Sequence, residues 1–144
     1  MATRTADIVG ERFEAEQREV EATLHAIMQA VQRKDLTGLA GFHLHTPKFT
    51  KFDDFEPLDR QDAETARRSE EEGLGGVEGF RYRLDDLKVD VFGPVAVATF
   101  VFDYGFDSDG QAMALRARST MVFVKDHGAW KIAHEHFSPF KSNP

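Results

Sequence analysis

One carboxylate in this sequence has neighbours that would suit it to proton-transfer chemistry. Asp53 lies within the segment 49–55, which also contains three phenylalanines. A carboxylate in apolar surroundings is poorly solvated, and this makes it a stronger base near neutral pH. The alternative is that Asp53 and Asp54 begin a polar turn, in which acidic side chains are usually solvated.

A His-x-His pair near the C-terminus places two imidazoles on one face of a predicted strand. Side chains alternate along a strand, so His134, His136 and Ser138 share a face with Trp130, while Glu135 points the other way. Side chains two residues apart are separated by ~7 Å at the backbone, so both imidazoles can reach one ligand. The pair is therefore a candidate for lining a pocket.

The same spacing recurs at His43 and His45, which raises the question of a metal site. A closed metal site needs three or four converging ligands, and nothing in the sequence shows that the two pairs meet. We therefore predict no metal, and we interpret these histidines as hydrogen-bonded structural groups or as polar groups of a pocket.

Two arginines, Arg116 and Arg118, share a strand face with Thr120 and Val122. An arginine held among apolar side chains needs a carboxylate partner. Asp103 on the neighbouring strand is the expected partner of the pair, although a carboxylate of a ligand would satisfy the same guanidinium.

Composition and charge exclude several classes of function. The chain has 144 residues, no cysteine and a formal net charge of -7. Disulfides and thiolate chemistry are excluded, and a negative field disfavours nucleic acid and anionic membranes as partners. Neither a signal peptide nor a long apolar segment is evident, so we expect a cytoplasmic protein.

The first half of the sequence predicts helices. Apolar residues recur at helical spacing in the segment 8–33, and Asp35 can cap a short second helix. After a short strand ending at Phe52, a third helix is predicted over 60–72, with Asp59 as its N-cap and Gly73 as a left-handed residue after its end.

The second half predicts four long strands, 79–92, 95–106, 112–125 and 130–137. Short turn sequences rich in Gly, Asp and Pro separate them, so consecutive strands should pair antiparallel. Helices followed by a meander indicate an α+β fold, with the helices covering one face of a curved sheet. We expect one domain over 1–144, with tails at about 1–7 and 139–144.

The strand that begins at Val95 is apolar on both faces, whereas the helices suffice to cover only one. The second face therefore predicts a homodimer through the sheet. The alternative is that the sheet curls until it covers itself.

Three segments together resemble the SnoaL-like domains of the nuclear-transport-factor-two-like superfamily, which includes ketosteroid-isomerase-like proteins. They are the helix end Gln-Arg-Lys-Asp-Leu, the strand Phe-Thr-Lys-Phe-Asp and the closing Gly-x-Trp turn with its His-x-His-x-Ser strand. The closing segment is also similar to the association domain of calcium/calmodulin-dependent protein kinase two. The resemblance implies a cone-shaped, cystatin-like fold with a pocket between the first helices and the concave face.

The superfamily includes isomerases, polyketide cyclases, dehydratases and oligomerising domains, so the resemblance implies no single activity. It places Asp53 where ketosteroid-isomerase-like enzymes carry a catalytic carboxylate. Ile27 and Thr120 stand where such isomerases carry their proton donors, so steroid isomerisation itself is not implied.

These observations favour a non-catalytic ligand-binding or association module with a pocket for a small organic ligand and no cofactor. The alternative is an enzyme that uses Asp53 as the base in proton transfer on a small carbonyl compound. The candidate residues that line the pocket are Phe52, Tyr104, Arg116, Arg118, Trp130, His134 and His136.

Overall fold

The computed structural model describes residues 7–140, so most of the two expected tails lies outside the described part of the chain. Within that part the chain forms three helices and five strands. The elements, in chain order, are α1 (Glu14–Gln32), α2 (Leu36–Gly41), β1 (Thr50–Phe52), α3 (Ala63–Gly75), β2 (Glu78–Phe92), β3 (Val95–Ser108), β4 (Gln111–Asp126) and β5 (Ala129–Pro139).

The first helix begins at Glu14 rather than at Ile8, so the predicted start is wrong. Upstream, the Asp7 carboxylate accepts hydrogen bonds from the backbone N–H groups of Val9 (3.2 Å) and Gly10 (2.9 Å), which favours a turn over a helix.

Among the described helices, none has both the length and the apolar composition that crossing a bilayer requires.

Helix caps explain the starts of α2 and α3. Asp35 caps α2 as predicted, because its carboxylate accepts from the N–H of Gly38 at 3.0 Å. The predicted cap of α3 is wrong: Asp62, not Asp59, accepts from the N–H of Thr65 at 2.8 Å. The helix continues through Gly73, which is therefore not a left-handed terminal residue.

The five strands form one sheet in the order β1-β5-β4-β3-β2. β1 pairs parallel with β5, and the four long strands pair antiparallel in sequence order, each one to three residues longer than predicted. All three hairpins have two-residue turns, and in two of them, Asp109-Gly110 and His127-Gly128, both residues have positive φ (50° and 78°, 50° and 81°). This is the backbone that two-residue hairpins with native twist require.

The core lies between α1 and the concave face of the curled sheet. α1 contributes Val20, Leu24, Ile27 and Met28, all buried, and β3 contributes its even-numbered residues from Ala96 to Phe102. The α+β class with helices on one face of a strongly curved sheet is thus confirmed. On the other face of β3, Thr99 is exposed and the valines are half-buried, so curling does not cover that face completely.

A β-bulge in β5 decides which of its side chains face the core. Ile132 pairs with Phe123 and His134 with Val122, so Ala133 is an extra residue between two consecutive partners. Trp130 and Ile132 consequently point inward, and Glu135 continues on the same side. The prediction that Trp130 shares a face with His134 and His136 is wrong, because the bulge reverses the alternation.

Candidate functional site

A cavity of about 570 Å³ lies between the helices and the concave face of the sheet. On the helical side, α1 and α2 contribute apolar residues, whereas α3 and the loop after β1 contribute mainly acidic ones. The sheet wall is mainly aromatic. The aromatic residues that line the cavity are Phe55, Phe80, Phe102, Tyr104, Phe106 and Phe137.

The aromatic wall is ordered by ring contacts between alternate residues of β3. Phe102 and Tyr104 stack with ring centroids 4.5 Å apart, and Tyr104 continues the row to Phe106 at 6.5 Å. Phe80 on β2 packs against the same row, 6.3 Å from both Phe102 and Tyr104. These distances are typical of aromatic pairs, so the wall is a preformed apolar surface.

The polar side of the cavity contains a cluster of buried ions centred on Lys51. Its ammonium nitrogen lies 3.1 Å from Glu70 Oε1, 3.4 Å from Glu135 Oε2 and 3.5 Å from Asp53 Oδ2. His43 Nε2 lies 3.2 Å from Glu135 Oε1 and 3.4 Å from Glu70 Oε1. Only 6% of the Lys51 side chain and 4% of the Glu135 side chain are exposed.

Mutual attraction keeps these groups charged despite their burial. Burial alone would raise the pKa of Glu135, but the charges of Lys51 and His43 outweigh it and lower the value to about 2. Burial would lower the pKa of His43, yet Glu135 and Glu70 raise it to about 10. The same two carboxylates, with Asp53, raise the pKa of Lys51 above its usual range. His43, Lys51 and Glu135 are therefore charged at neutral pH.

The orientation of His43 depends on its other ring nitrogen. Nδ1 donates to the carbonyl oxygen of Leu39 at 3.1 Å, and this directs Nε2 toward the two glutamates. The ligand atoms of His43, Glu70 and Glu135 lie within 4.8 Å of one another, a spacing that could hold a metal ion. Any such ion would compete with the Lys51 ammonium for the same carboxylates.

Asp53 and Asp54 form an acidic pair next to the other carboxylates of the ion cluster, and both residues line the cavity. The backbone N–H of Asp54 donates to Asp53 Oδ1 at 2.9 Å. Burial, followed by the hydrogen bond and charge of Asp53, raises the pKa of Asp54 to about 6. Burial and the charges of Asp54 and Asp53 also raise the pKa of Tyr104, so its phenol stays protonated at neutral pH.

The structure brings two of the sequence-predicted residues, Asp53 and Tyr104, to the same cavity. Trp130 is instead buried elsewhere in the core, where its Nε1 donates to Glu19 Oε2 at 2.9 Å. Phe52 and His134 lie outside the cavity on the other side of the sheet, with ring centroids 6.3 Å apart, and His134 Nδ1 lies 2.8 Å from Thr50 Oγ1.

The remaining candidates also lie on the outer face of the sheet. Arg116 pairs with Asp103, with 3.0 Å between Nε and Oδ1, which confirms the predicted internal partner. Arg118 and His136 line a separate groove of about 330 Å³, together with Thr99. The two His-x-His pairs do not converge, because His43 is inside the fold and His136 is outside it.

Sequence reasoning missed three residues of the ion cluster, Lys51, Glu70 and Glu135, and did not connect His43 with them. The available signal was the alternation in β1, where Lys51 stands between Thr50 and Phe52 and must face the opposite side. A lysine on the inner side of a short strand requires carboxylates, but the sequence does not show which ones lie nearby.

The family follows from a sequence comparison. A model of the SnoaL-like domain family matches residues 20–142, most of the chain. The chain belongs to the SnoaL-like domain family. No curated protein matches it.

Solved structures show the same fold as this SnoaL-like domain at low sequence identity. A dehydratase candidate of the NTF2-like family from Streptomyces avermitilis is 21% identical, with 90% of this chain and 99% of that chain covered and a TM-score of 0.81. An NTF2-like protein of unknown function from Pseudomonas putida KT2440 is 24% identical, with 91% and 92% covered and a TM-score of 0.76. The association domain of C. elegans CaMKII is 18% identical, with 87% and 96% covered and a TM-score of 0.69. Both predicted resemblances are thus confirmed for the fold.

Proposed function

We propose that this SnoaL-like domain is a non-catalytic module that binds a small, mainly apolar organic molecule in the cavity between its helices and sheet. The observation that carries the proposal is the cavity of about 570 Å³ with an aromatic wall on one side and Asp53, Asp54 and Tyr104 on another. Small-molecule sites typically have this size and this combination of an apolar lining with few polar groups.

Blocking the cavity rim tests the proposal. Gly73 is exposed, lines the cavity and has open space around the position of an added Cβ, whereas Gly75 also has open space but does not line it. We expect Nile red, an uncharged apolar dye, to fluoresce on binding to the wild type and to the control Gly75→Phe. Gly73→Phe should weaken binding about tenfold or more, since a lost apolar contact costs ~1.4 kcal/mol or more.

The two variants share the same helix, so a nonspecific effect of the new phenylalanine appears in both. Equal dye binding by Gly73→Phe and Gly75→Phe, with both variants folded by circular dichroism, would place the dye elsewhere and contradict the proposal.

A second candidate function is proton transfer on a carbonyl compound, with Asp53 as the base. Three observations favour it: Asp53 lines the cavity, the pKa of Asp54 is raised to about 6, and the protonated Tyr104 is available as a donor to a developing enolate. Exchange of the α-protons of tetralone in D₂O, followed by NMR, tests this candidate. An enzyme should accelerate exchange over buffer and lose the acceleration in Asp53→Asn.

We also propose that the domain associates through the outer face of the sheet as a homodimer. Hub and association domains among the similar structures support oligomeric association, and the half-buried valines Val95, Val97 and Val101 on this face support its location. Analytical ultracentrifugation of the wild type should show a dimer at micromolar concentration, and Val97→Glu should dissociate it. A monomeric wild type would remove this proposal.

A further inference from the structure

Charge is distributed unevenly around the cavity. The charged residues that line it comprise six carboxylates and one ammonium group: Asp53, Asp54, Glu56, Glu70, Glu72 and Glu135 against Lys51. Lys51 and the protonated His43 together balance two of these carboxylates, Glu70 and Glu135. Asp53 also lies 3.5 Å from the Lys51 ammonium, but six carboxylates against two cations leave a net negative charge around the cavity.

Asp53 and Asp54 line the same cavity as the aromatic wall. After burial, the charges of both carboxylates contribute to raising the pKa of the Tyr104 phenol, which lines the same cavity. The ring of Tyr104 stacks on Phe102 at 4.5 Å, so a ligand beside the acids would also meet the face or edge of an aromatic row. Carboxylates beside aromatic rings are the combination that recognises organic cations, because both attract positive charge.

Three buried side-chain atoms of residues 7–140 have no hydrogen-bond partner, namely Gln61 Oε1, Ser119 Oγ and Glu135 Oε2, and of these residues only Glu135 lines the cavity. Glu135 Oε2 has no hydrogen-bond donor, although Lys51 Nζ lies 3.4 Å away outside hydrogen-bond geometry. Glu135 is 3% exposed and lines the cavity. A ligand with several N–H donors could donate a hydrogen bond to Glu135 Oε2, since a buried carboxylate oxygen without a donor costs free energy.

We infer that the ligand of this cavity is an organic cation, an aromatic or alicyclic amine whose ammonium group lies beside Asp53 and Asp54 while its apolar body packs on the aromatic row. The inference rests on the proposed ligand-binding function and adds the charge of the ligand to it. An acid of the same shape is repelled by the same carboxylates, because no unpaired cation among the described cavity residues could neutralise it.

Three probes of nearly the same shape test the sign of the charge: naphthylmethylamine, naphthalenemethanol and naphthoate, measured by calorimetry at neutral pH. The amine should bind about tenfold more tightly than the alcohol, which corresponds to a partly desolvated cation beside a ring and a carboxylate. The naphthoate should bind more weakly than the alcohol. A lower salt concentration should enlarge the differences in affinity among the three probes, because screening by salt weakens electrostatic interactions.

Substitutions of single acidic residues test whether Asp54 causes the preference for the amine. Asp54→Asn should lower the affinity for the amine about tenfold and leave the affinity for the alcohol unchanged. Asp59→Asn is the matched control, because Asp59 lies in the same loop, is exposed and does not line the cavity. Asp59→Asn removes the same formal charge as Asp54→Asn and should leave the preference for the amine over the alcohol unchanged.

The outcomes separate this inference from the proposed function. If the alcohol binds and the naphthoate binds as tightly as the amine, the cavity binds ligands but the charge preference is wrong. An equal loss in Asp54→Asn and Asp59→Asn would show a general charge effect and would also overturn the inference. If Nile red binds but none of the three probes does, the inference fails and the proposed function stands; if neither Nile red nor the probes bind, both fail.

Discussion

Removing one carboxylate from the ion cluster around Lys51 should destabilise the fold severely. Glu135→Gln keeps the size of the side chain but leaves Lys51 and His43 facing each other with Glu70 as their nearest remaining counter-charge. Glu135 is 4% exposed and Lys51 6%, so water cannot replace the lost charge without opening the core. Breaking a buried pair in this way costs about 3–5 kcal/mol.

Thermal unfolding followed by circular dichroism measures the effect. For a chain of this length each kcal/mol lowers the melting temperature by about 2–4 °C, so the expected loss is on the order of 10 °C. Arg116→Gln is the control, because Arg116 also pairs with a carboxylate but is 47% exposed. An exposed pair of that kind contributes about 1 kcal/mol or less.

The pH dependence of the wild type provides a second measurement of the same cluster. The folded pKa of Glu135 is lowered from 4.5 to about 2, so its contribution is complete above about pH 4.5 and is lost as the pH falls through about 2. Glu135→Gln should remove that part of the acid dependence. A melting temperature within 2–4 °C of the wild type would refute the reasoning, because it would show that the cluster is hydrated rather than buried.

Three further predictions concern single groups. The folded pKa of His43 is raised from 6.5 to about 10, so the stabilisation by His43 is complete below pH 6.5 and declines as the pH rises through about 10. The urea midpoint of the wild type should therefore fall between these pH values. The midpoint of His43→Gln should not show this part of the fall. With Tyr82→Phe, Tyr104 is the single remaining tyrosine, and its ultraviolet titration should occur above pH 10; a normal midpoint would mean that the ring is solvated. Asp53→Asn should change the unfolding free energy by less than about 1 kcal/mol, since Lys51 retains Glu70 and Glu135; a larger loss in denaturant unfolding would make Asp53 structural.

Much of the sheet could be predicted because its turns are encoded locally. Gly110 and Gly128 have φ values of 78° and 81°, which most other residues adopt only at a cost, so their positions mark the ends of strands. The apolar runs between the turns have no competing helical periodicity. The bounds of β2 to β5 consequently follow from short stretches of sequence.

The helix starts were harder to predict because several acidic residues can serve as caps. Asp59 and Asp62 both precede the helical segment, and each could accept from an N–H three residues later. The structure uses Asp62, while Lys51 and Gln61 exchange backbone hydrogen bonds at 3.1 and 2.9 Å. This long-range bridge keeps the chain before Asp62 extended, and it is not visible in the local sequence.

In the candidate site, too, some residues could be predicted from the local sequence, whereas the orientation of others depends on contacts with distant parts of the chain. Asp53 follows from a local property, a carboxylate among phenylalanines, and Tyr104 lies on the predicted strand 95–106. Trp130, His134 and His136 were assigned to one face because the alternation of side chains was assumed to be unbroken. A single extra residue, Ala133, invalidates that assumption, and a bulge of this kind depends on the partner strand as much as on its own sequence.

The ion cluster explains why the bulge matters for the site. Before the bulge β5 directs Ile132 into the core, and without the extra residue the next inward side chain would be His134. The bulge turns Glu135 inward instead, opposite Lys51 of the parallel neighbour β1, whose register partner is Glu135 itself. An imidazole at that position could not neutralise the Lys51 ammonium, and a buried unpaired ammonium is strongly unfavourable. The local irregularity of β5 and the presence of a lysine on β1 therefore require each other, and together they place oppositely charged buried groups, Lys51 and Glu135, in the lining of the cavity.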